Sequence, residues 1–437
     1  MEPCQLTASA ASALIKARKL GAEELVRSCL KRIETRDPLV RAWLHIDPEQ
    51  ALRAAREADK RPPSGVLHGL PIGVKDVIDT QDYPTTQNSP IYAGLQVGRD
   101  AACVALARGA GAVVLGKTDT VEFASSGRKA LTRNPYNPAH TPGGTSSGSG
   151  AAVADFMVPL AFGTQTSGSL IRPAAFNGIY ALKPSWNRVS REGVRMFAAS
   201  LDTVGWYGRC VDDLVLVAQA LGIAVEAASS PSPRGLQVGL CRTPMWPSIE
   251  PAGAMALDAA ARRLSEAGAV VREIDLPAPF AGLRAAQAVI AAREAGVAFL
   301  PEYVNAHALL HDNLRAKVEN RSGITDHMLL EAYALADACR PQFDALFGPK
   351  LDVVLAPAAP GEAPEGLDTT GDAVFNTMWT LLHVPCVAIP AGRGDNHLPV
   401  GVQLIGPRLF EPRLLAIARS LAPLIDVDPE AGRRQLG

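Results

Sequence analysis

The segment Gly163–Pro173 reads GTQTSGSLIRP. Six of its eleven residues are Gly, Thr or Ser, and it follows the apolar run Met157–Phe162. A chain that leaves a buried strand for such residues lets backbone N–H groups crowd together, because small side chains permit close approach. Ser169, near the end of this run, is a candidate hydroxyl nucleophile. A serine hydroxyl is weak until a base takes its proton, so a base must be sought elsewhere in the chain.

Around this segment, apolar runs alternate with helical patterns. Residues 8–34, 48–59 and 101–108 repeat apolar side chains at helical spacing, as do 147–156, 252–267 and 411–422. Short apolar runs at 68–79, 112–115, 158–162, 235–241 and 269–274 read as strands, followed by 351–357, 384–390 and 400–406. Near-continuous apolar strands between helices predict an α/β fold with a central mixed, mainly parallel sheet covered by helices on both faces. Residues 278–345 are helical in pattern without strands, so they read as an insertion over the sheet. The expected organisation is a single domain over 1–437. Residues 1–62 form an N-terminal helical region, 63–277 and 346–437 an α/β core, and 278–345 a helical insertion shaping the substrate pocket.

Composition excludes several classes. Net charge is −1 with no long basic block, which gives no electrostatic footprint for nucleic acid or an anionic membrane. No run of about 18 apolar residues predicts a transmembrane helix. Lys and Arg interrupt the N-terminal stretch, so no signal peptide is expected. Seven cysteines are scattered without a C-x-x-C pair, which predicts neither structural disulfides nor a zinc site and fits a reducing, cytoplasmic setting.

Two motif matches fail on context. GAVVLGKT (111–118) has P-loop spacing, but its interior Val113, Val114 and Leu115 is an apolar strand rather than a flexible loop. GTSSG (144–148) has the spacing of a nucleophile elbow centred on Ser146, which needs a strand directly upstream. Upstream lies NPYNPAHTPGG, which is turn chemistry, and none of the eight histidines sits in a setting that suggests a triad.

A third match joins distant pieces: PIGVKD with Lys75, TPGGTSSGSGAAVA (141–154) and GTQTSGSLIRPAAFNG (163–178). With KTDTVEFA (117–124), ALKPS (181–185), SLDTVG (200–205) and LPVGVQLIG (398–406), the chain resembles the amidase signature family over most of its length. The resemblance implies a Ser–Ser–Lys triad: Ser169 as nucleophile, Lys75 as base, and Thr145 as the bridging residue where the family usually has Ser. Ser146, its neighbour, is the fallback and is also expected to contact the substrate. It also implies an oxyanion hole from the N–H groups of Thr166, Ser167, Gly168 and Ser169. Where the family commonly has Gly, this chain has Ser167.

The chemistry can be stated apart from the family. Lysine serves as a base only when neutral, and burial lowers its pKa from roughly 10.4 by about 3 to 5 units. The run Leu70–Val74 supplies an apolar setting for Lys75. Neutral Lys75 then draws a proton through Thr145 from Ser169, Ser169 attacks an amide carbonyl, the relay protonates the leaving amine, and water hydrolyses the acyl-enzyme. No metal or organic cofactor is implied. Malonamidase and carboxybiuret hydrolase-like members place an Arg three residues after the nucleophile, and this resemblance implies that Arg172 meets a substrate carboxylate, which a guanidinium fork suits; a structural Arg bonded to loop carbonyls is the alternative. Tyr136, residues 83–92 and the insertion are expected to shape the pocket. The expected partner is a small-molecule amide. The resemblance implies a homodimer, with pairing to a small accessory protein as a variant. Two alternatives stay open: the glutamine-hydrolysing A subunit of a tRNA-dependent amidotransferase, and a catalytically silent scaffold, to which Thr145 and Ser167 point.

Overall fold

The computed structural model describes residues 2–225 and 230–426. Within them, eleven strands form one sheet: β1 (Trp43–Ile46), β2 (Pro71–Lys75), β3 (Val113–Thr118), β4 (Leu160–Gln165), β5 (Tyr180–Lys183), β6 (Thr203–Gly208), β7 (Gln237–Leu240), β8 (Val270–Glu273), β9 (Val353–Pro357), β10 (Cys386–Arg393) and β11 (Pro399–Ile405). Their order across the sheet is β1-β3-β2-β4-β6-β5-β10-β11-β9-β7-β8. Successive side chains on a strand point to opposite faces. Unbroken burial along β2, β3, β4, β6, β9 and β11 therefore means that both faces of the sheet are covered.

The α/β class and mixed sheet agree with the sequence reading, but the balance of strand directions does not. The pairings β3–β2, β2–β4, β9–β7 and β7–β8 are parallel. The other six, including the whole centre from β4 to β9, are antiparallel. An apolar run reports burial on both faces, and direction is set by the connections between runs, which composition does not encode. Strands β1, β5 and β6 also went unpredicted. The N-terminal helical pattern is two helices, Ala8–Lys16 and Ala22–Val40.

Segment 111–118 is strand β3 and its turn, as its apolar interior requires. Residues 278–345 are helical, with Leu283–Ala298 and Asp326–Asp344 as the long members. No helix of the described residues is long and apolar enough to cross a membrane.

Two short helices matter for the site. Ser147–Ala154 packs on β2, β3, β4 and β6, and Ile171–Asn177 packs on β5, β10 and β11. The first can sit this close only because residue 148 is glycine. A Cβ there would stand 2.2 Å from the Ala42 carbonyl oxygen and 2.4 Å from the Asp119 nitrogen. The loops entering these helices thus meet over the ends of the parallel trio β3-β2-β4.

Candidate active site

Lys75 is the last residue of β2, and its side chain is 0% exposed. Its Nζ lies 2.8 Å from Thr145 Oγ1 and 2.7 Å from Thr164 Oγ1. Among the described residues no carboxylate forms an ion pair with it. Burial holds its pKa well below the ordinary lysine range, and the charge of Asp202 pulls the other way. A buried ammonium without a carboxylate is costly, which favours the neutral amine.

Thr145 precedes the Ser147–Ala154 helix, and the Gly144–Thr145 peptide is cis. The Thr145 carbonyl accepts the Thr120 hydroxyl at 3.0 Å and the Val121 N–H at 3.3 Å. Those bonds fix the residue from the main chain and leave its hydroxyl to Lys75. Ser146 is committed elsewhere: its hydroxyl donates to the Thr164 carbonyl at 3.1 Å and accepts the Thr164 N–H at 3.2 Å. It ties the loop to β4 and is not placed on Lys75.

Ser169 lies across from this loop, its carbonyl accepting the Ser146 N–H at 3.3 Å. It is 7% exposed, against none for Lys75. The arch 166–169 is closed at its base by Gln165, whose Oε1 accepts the N–H groups of both Leu170 and Ile171 at 3.0 Å while its Nε2 donates to Thr380 Oγ1 at 3.0 Å. An aspartate at 165 could take the two N–H groups but could not donate to Thr380. Asp202 accepts the Thr166 hydroxyl at 2.5 Å and the Phe197 and Ala198 N–H groups at 2.6 and 3.0 Å. Burial raises its pKa to about 6, against the pull of those bonds. Gly168 is pressed by Asn376: a Cβ there would stand 2.5 Å from Asn376 Oδ1.

Arg172, 5% exposed, is the second residue of the next helix, Ile171–Asn177. Its Nη2 donates to the Gly144 carbonyl at 2.6 Å and to Thr370 Oγ1 at 3.0 Å, and its buried Nε has no partner. Among the described residues no carboxylate lies within ion-pair distance of it. Burial lowers its pKa to about 10, with Asp372 opposing.

Tyr136 does not join the group. It packs under Arg393, 4.9 Å from guanidinium carbon to ring centre, and lies near Gly178, the residue that ends the Ile171–Asn177 helix. Ser169 stands before the opposite end of that helix. The proline-rich loop around Tyr136 carries no sign of that direction. Thr164, Asp202, Gln287 and Thr380, which hold the arch and the amine, are not marked as site residues by the sequence. Asp202 lies inside the quoted SLDTVG, but its partner Thr166 is identifiable only in three dimensions. No group of three or more His, Cys, Asp or Glu suited to a metal occurs among the described residues.

An Amidase family model matches residues 24–415. The chain belongs to the amidase signature family. Membership sets the class of chemistry, cleavage of an amide C–N bond. The chain is 33% identical to the A subunit of the glutamyl-tRNA(Gln) amidotransferase of Chloroflexus aggregans, over 96% of each chain. Among solved structures it resembles the native peptide amidase of Stenotrophomonas maltophilia, with TM-score 0.79 and 27% identity over 96% of this chain and 97% of that one. It also resembles a chain from a vestigial protein complex bearing on the origins of an s-triazine catabolic enzyme. There the TM-score is 0.85 and the identity 27%, over 95% of this chain and 98% of that one.

Proposed function

We propose that the chain hydrolyses a small linear carboxamide that carries a carboxylate, through an acyl-enzyme on Ser169. The observation that carries this reading is the fully buried Lys75 amine held by two hydroxyls and no carboxylate. A neutral amine has two N–H groups and one lone pair. One N–H goes to Thr164, and the lone pair accepts the Thr145 hydroxyl proton. Thr145 in turn draws the proton of Ser169 as it attacks the carbonyl. N–H groups of 166–169 receive the oxyanion, where prepositioned donors contribute most to rate. The leaving amine takes its proton back along the same relay, and water releases the acid by the reverse path.

The substrate carboxylate is argued from Arg172. A buried guanidinium without a carboxylate partner, and with an unbonded Nε, is an uncompensated charge that an anionic ligand would satisfy. Its bonds to Gly144 and Thr370 give it a structural role as well.

The test is ammonia release from paired small amides, each a carboxylated half-amide and its neutral analogue, with wild type and Ser169→Ala. Faster turnover of the carboxylated members, abolished in the variant, is the expected result. Turnover of neutral amides alone would leave Ser169 as nucleophile and Arg172 as structural. A second reading is favoured by the near full-length likeness to the A subunit of an amidotransferase. Glutamine belongs in the panel for that reason: ammonia from glutamine only, and only with partner proteins present, would favour it. An inactive chain whose Ser169→Ala variant differs in nothing would favour a silent scaffold.

A further inference from the structure

The arch Thr166–Gly168 is held from three directions. Asp202 accepts the Thr166 hydroxyl, and Thr380 Oγ1 donates to the Ser167 carbonyl at 2.8 Å. The third hold comes from the insertion: Gln287, buried in the Leu283–Ala298 helix, donates through Nε2 to the Thr166 carbonyl at 3.0 Å and to Ser167 Oγ at 2.9 Å. Ser167 is the single partly exposed residue of Gly163–Pro173.

A serine in this place has another use for its hydroxyl. Serine side chains accept hydrogen bonds from backbone N–H groups two residues on. Two residues after Ser167 is Ser169, whose N–H the oxyanion needs. A hydroxyl that captures this donor withholds it from the transition state, and one lost oxyanion donor costs about 10²- to 10³-fold in kcat.

We propose that Gln287 is a positioning residue: by donating to Ser167 Oγ it turns that hydroxyl away from the arch and keeps the Ser169 N–H free for the oxyanion. The proposal rests on Ser169 being the nucleophile. It links the insertion to the rate of the chemical step through one carboxamide. With glycine at 167 there is no hydroxyl to restrain and Gln287 is dispensable. That dependence separates positioning from mere packing.

The experiment compares kcat and KM for one amide in wild type, Gln287→Met, Ser167→Gly and the double variant, with the rate at which a fluorophosphonate labels Ser169 as a second readout. Methionine keeps length and volume and removes the donor, and a thermal melt checks that each variant is folded. Gln287→Met is expected to lower kcat and the labelling rate by about 10- to 100-fold with KM changed less than about threefold. The double variant is expected to match Ser167→Gly within about threefold, whatever rate Ser167→Gly itself has. A double variant slowed as much as Gln287→Met overturns the proposal, as does an unaffected Gln287→Met. If Gln287→Met fails to fold, the double variant against Ser167→Gly decides alone. Wild type without Ser169-dependent turnover or labelling strikes the reading of the site, and this proposal with it.

Discussion

Strands β2 and β3 each carry a fully buried lysine, and the two lysines differ in what surrounds them. Lys75 and Lys117 lie on neighbouring parallel strands, with Val74 opposite Lys117 and Lys75 opposite Thr118. Lys117 Nζ stands 3.1 Å from Asp76 Oδ1 and 2.7 Å from Thr85 Oγ1, and Asp76 also accepts the Thr86 hydroxyl at 2.5 Å. Burial lowers the pKa of both lysines, but Asp76 pulls Lys117 back directly, whereas the opposing charge on Lys75 is that of Asp202. The same residue type, equally buried one strand apart, meets a carboxylate that favours its charged form in one place and only hydroxyls in the other. Lys75 differs from Lys117 in the carboxylate partner it lacks.

That contrast can be broken by removing each amine. Lys75→Met is expected to lower kcat/KM by about 10⁴-fold or more, as losses of triad members do, without lowering the melting temperature. Native Lys75 prefers the neutral form, so the unfolded chain binds more protons. Stability therefore rises with pH between the lowered native pKa and the ordinary lysine range, and below that window the full cost of burial is present. Lys75→Met removes that slope, so its gain is largest on the acid side, read by urea titration at several pH values. Lys117→Met strands the Asp76 carboxylate and is expected to cost about 3–5 kcal/mol in the same titration. If both variants lost similar stability, the two lysines would be equivalent and the comparison would fail.

Smaller effects sharpen it. Thr145→Val, which removes the relay hydroxyl and keeps the branched shape, is expected to lower kcat by about 10²-fold. Thr145→Ser should stay within about tenfold of wild type. The smallest effect concerns pH. With neutral Lys75 as the proposed base, kcat/KM is expected to rise with pH through its lowered pKa. Asp202→Asn removes a negative charge that favours the ammonium, so this limb should move to lower pH, by less than about one unit. A limb that moves upward, or stays, would show that Lys75 does not feel Asp202.

Much of this was legible in the chain. Apolar runs marked most strands because burial on both faces leaves a compositional trace. Lys75, Thr145 and Ser169 could be named because the motifs that carry them, an apolar strand end and runs of glycine and hydroxyls, match the amidase signature family position by position. Strand direction left no such trace. Neither did the partners of the arch, since Gln287 and Thr380 are ordinary helical residues whose relation to Ser167 exists only in the folded chain. Ser146 shows the limit within a motif: it neighbours Thr145 in GTSSG, yet its hydroxyl faces the β4 main chain. One residue of offset separates the side chain on the amine from the side chain that braces the strand.

The groups assigned to bond cleavage enter from a short span of chain: the end of β2 and the starts of the helices at 147 and 171. The side chains that press on them from outside, Gln287, Asn376 and Thr380, belong to much later segments. Cleavage and the bracing of the arch are thus written in separate passages of the gene. Mutation in the later passage can retune the rate of an inherited reaction while the base and its hydroxyls pass unchanged. Libraries meant to change that rate belong in the helices Leu283–Ala298 and Thr377–Leu381.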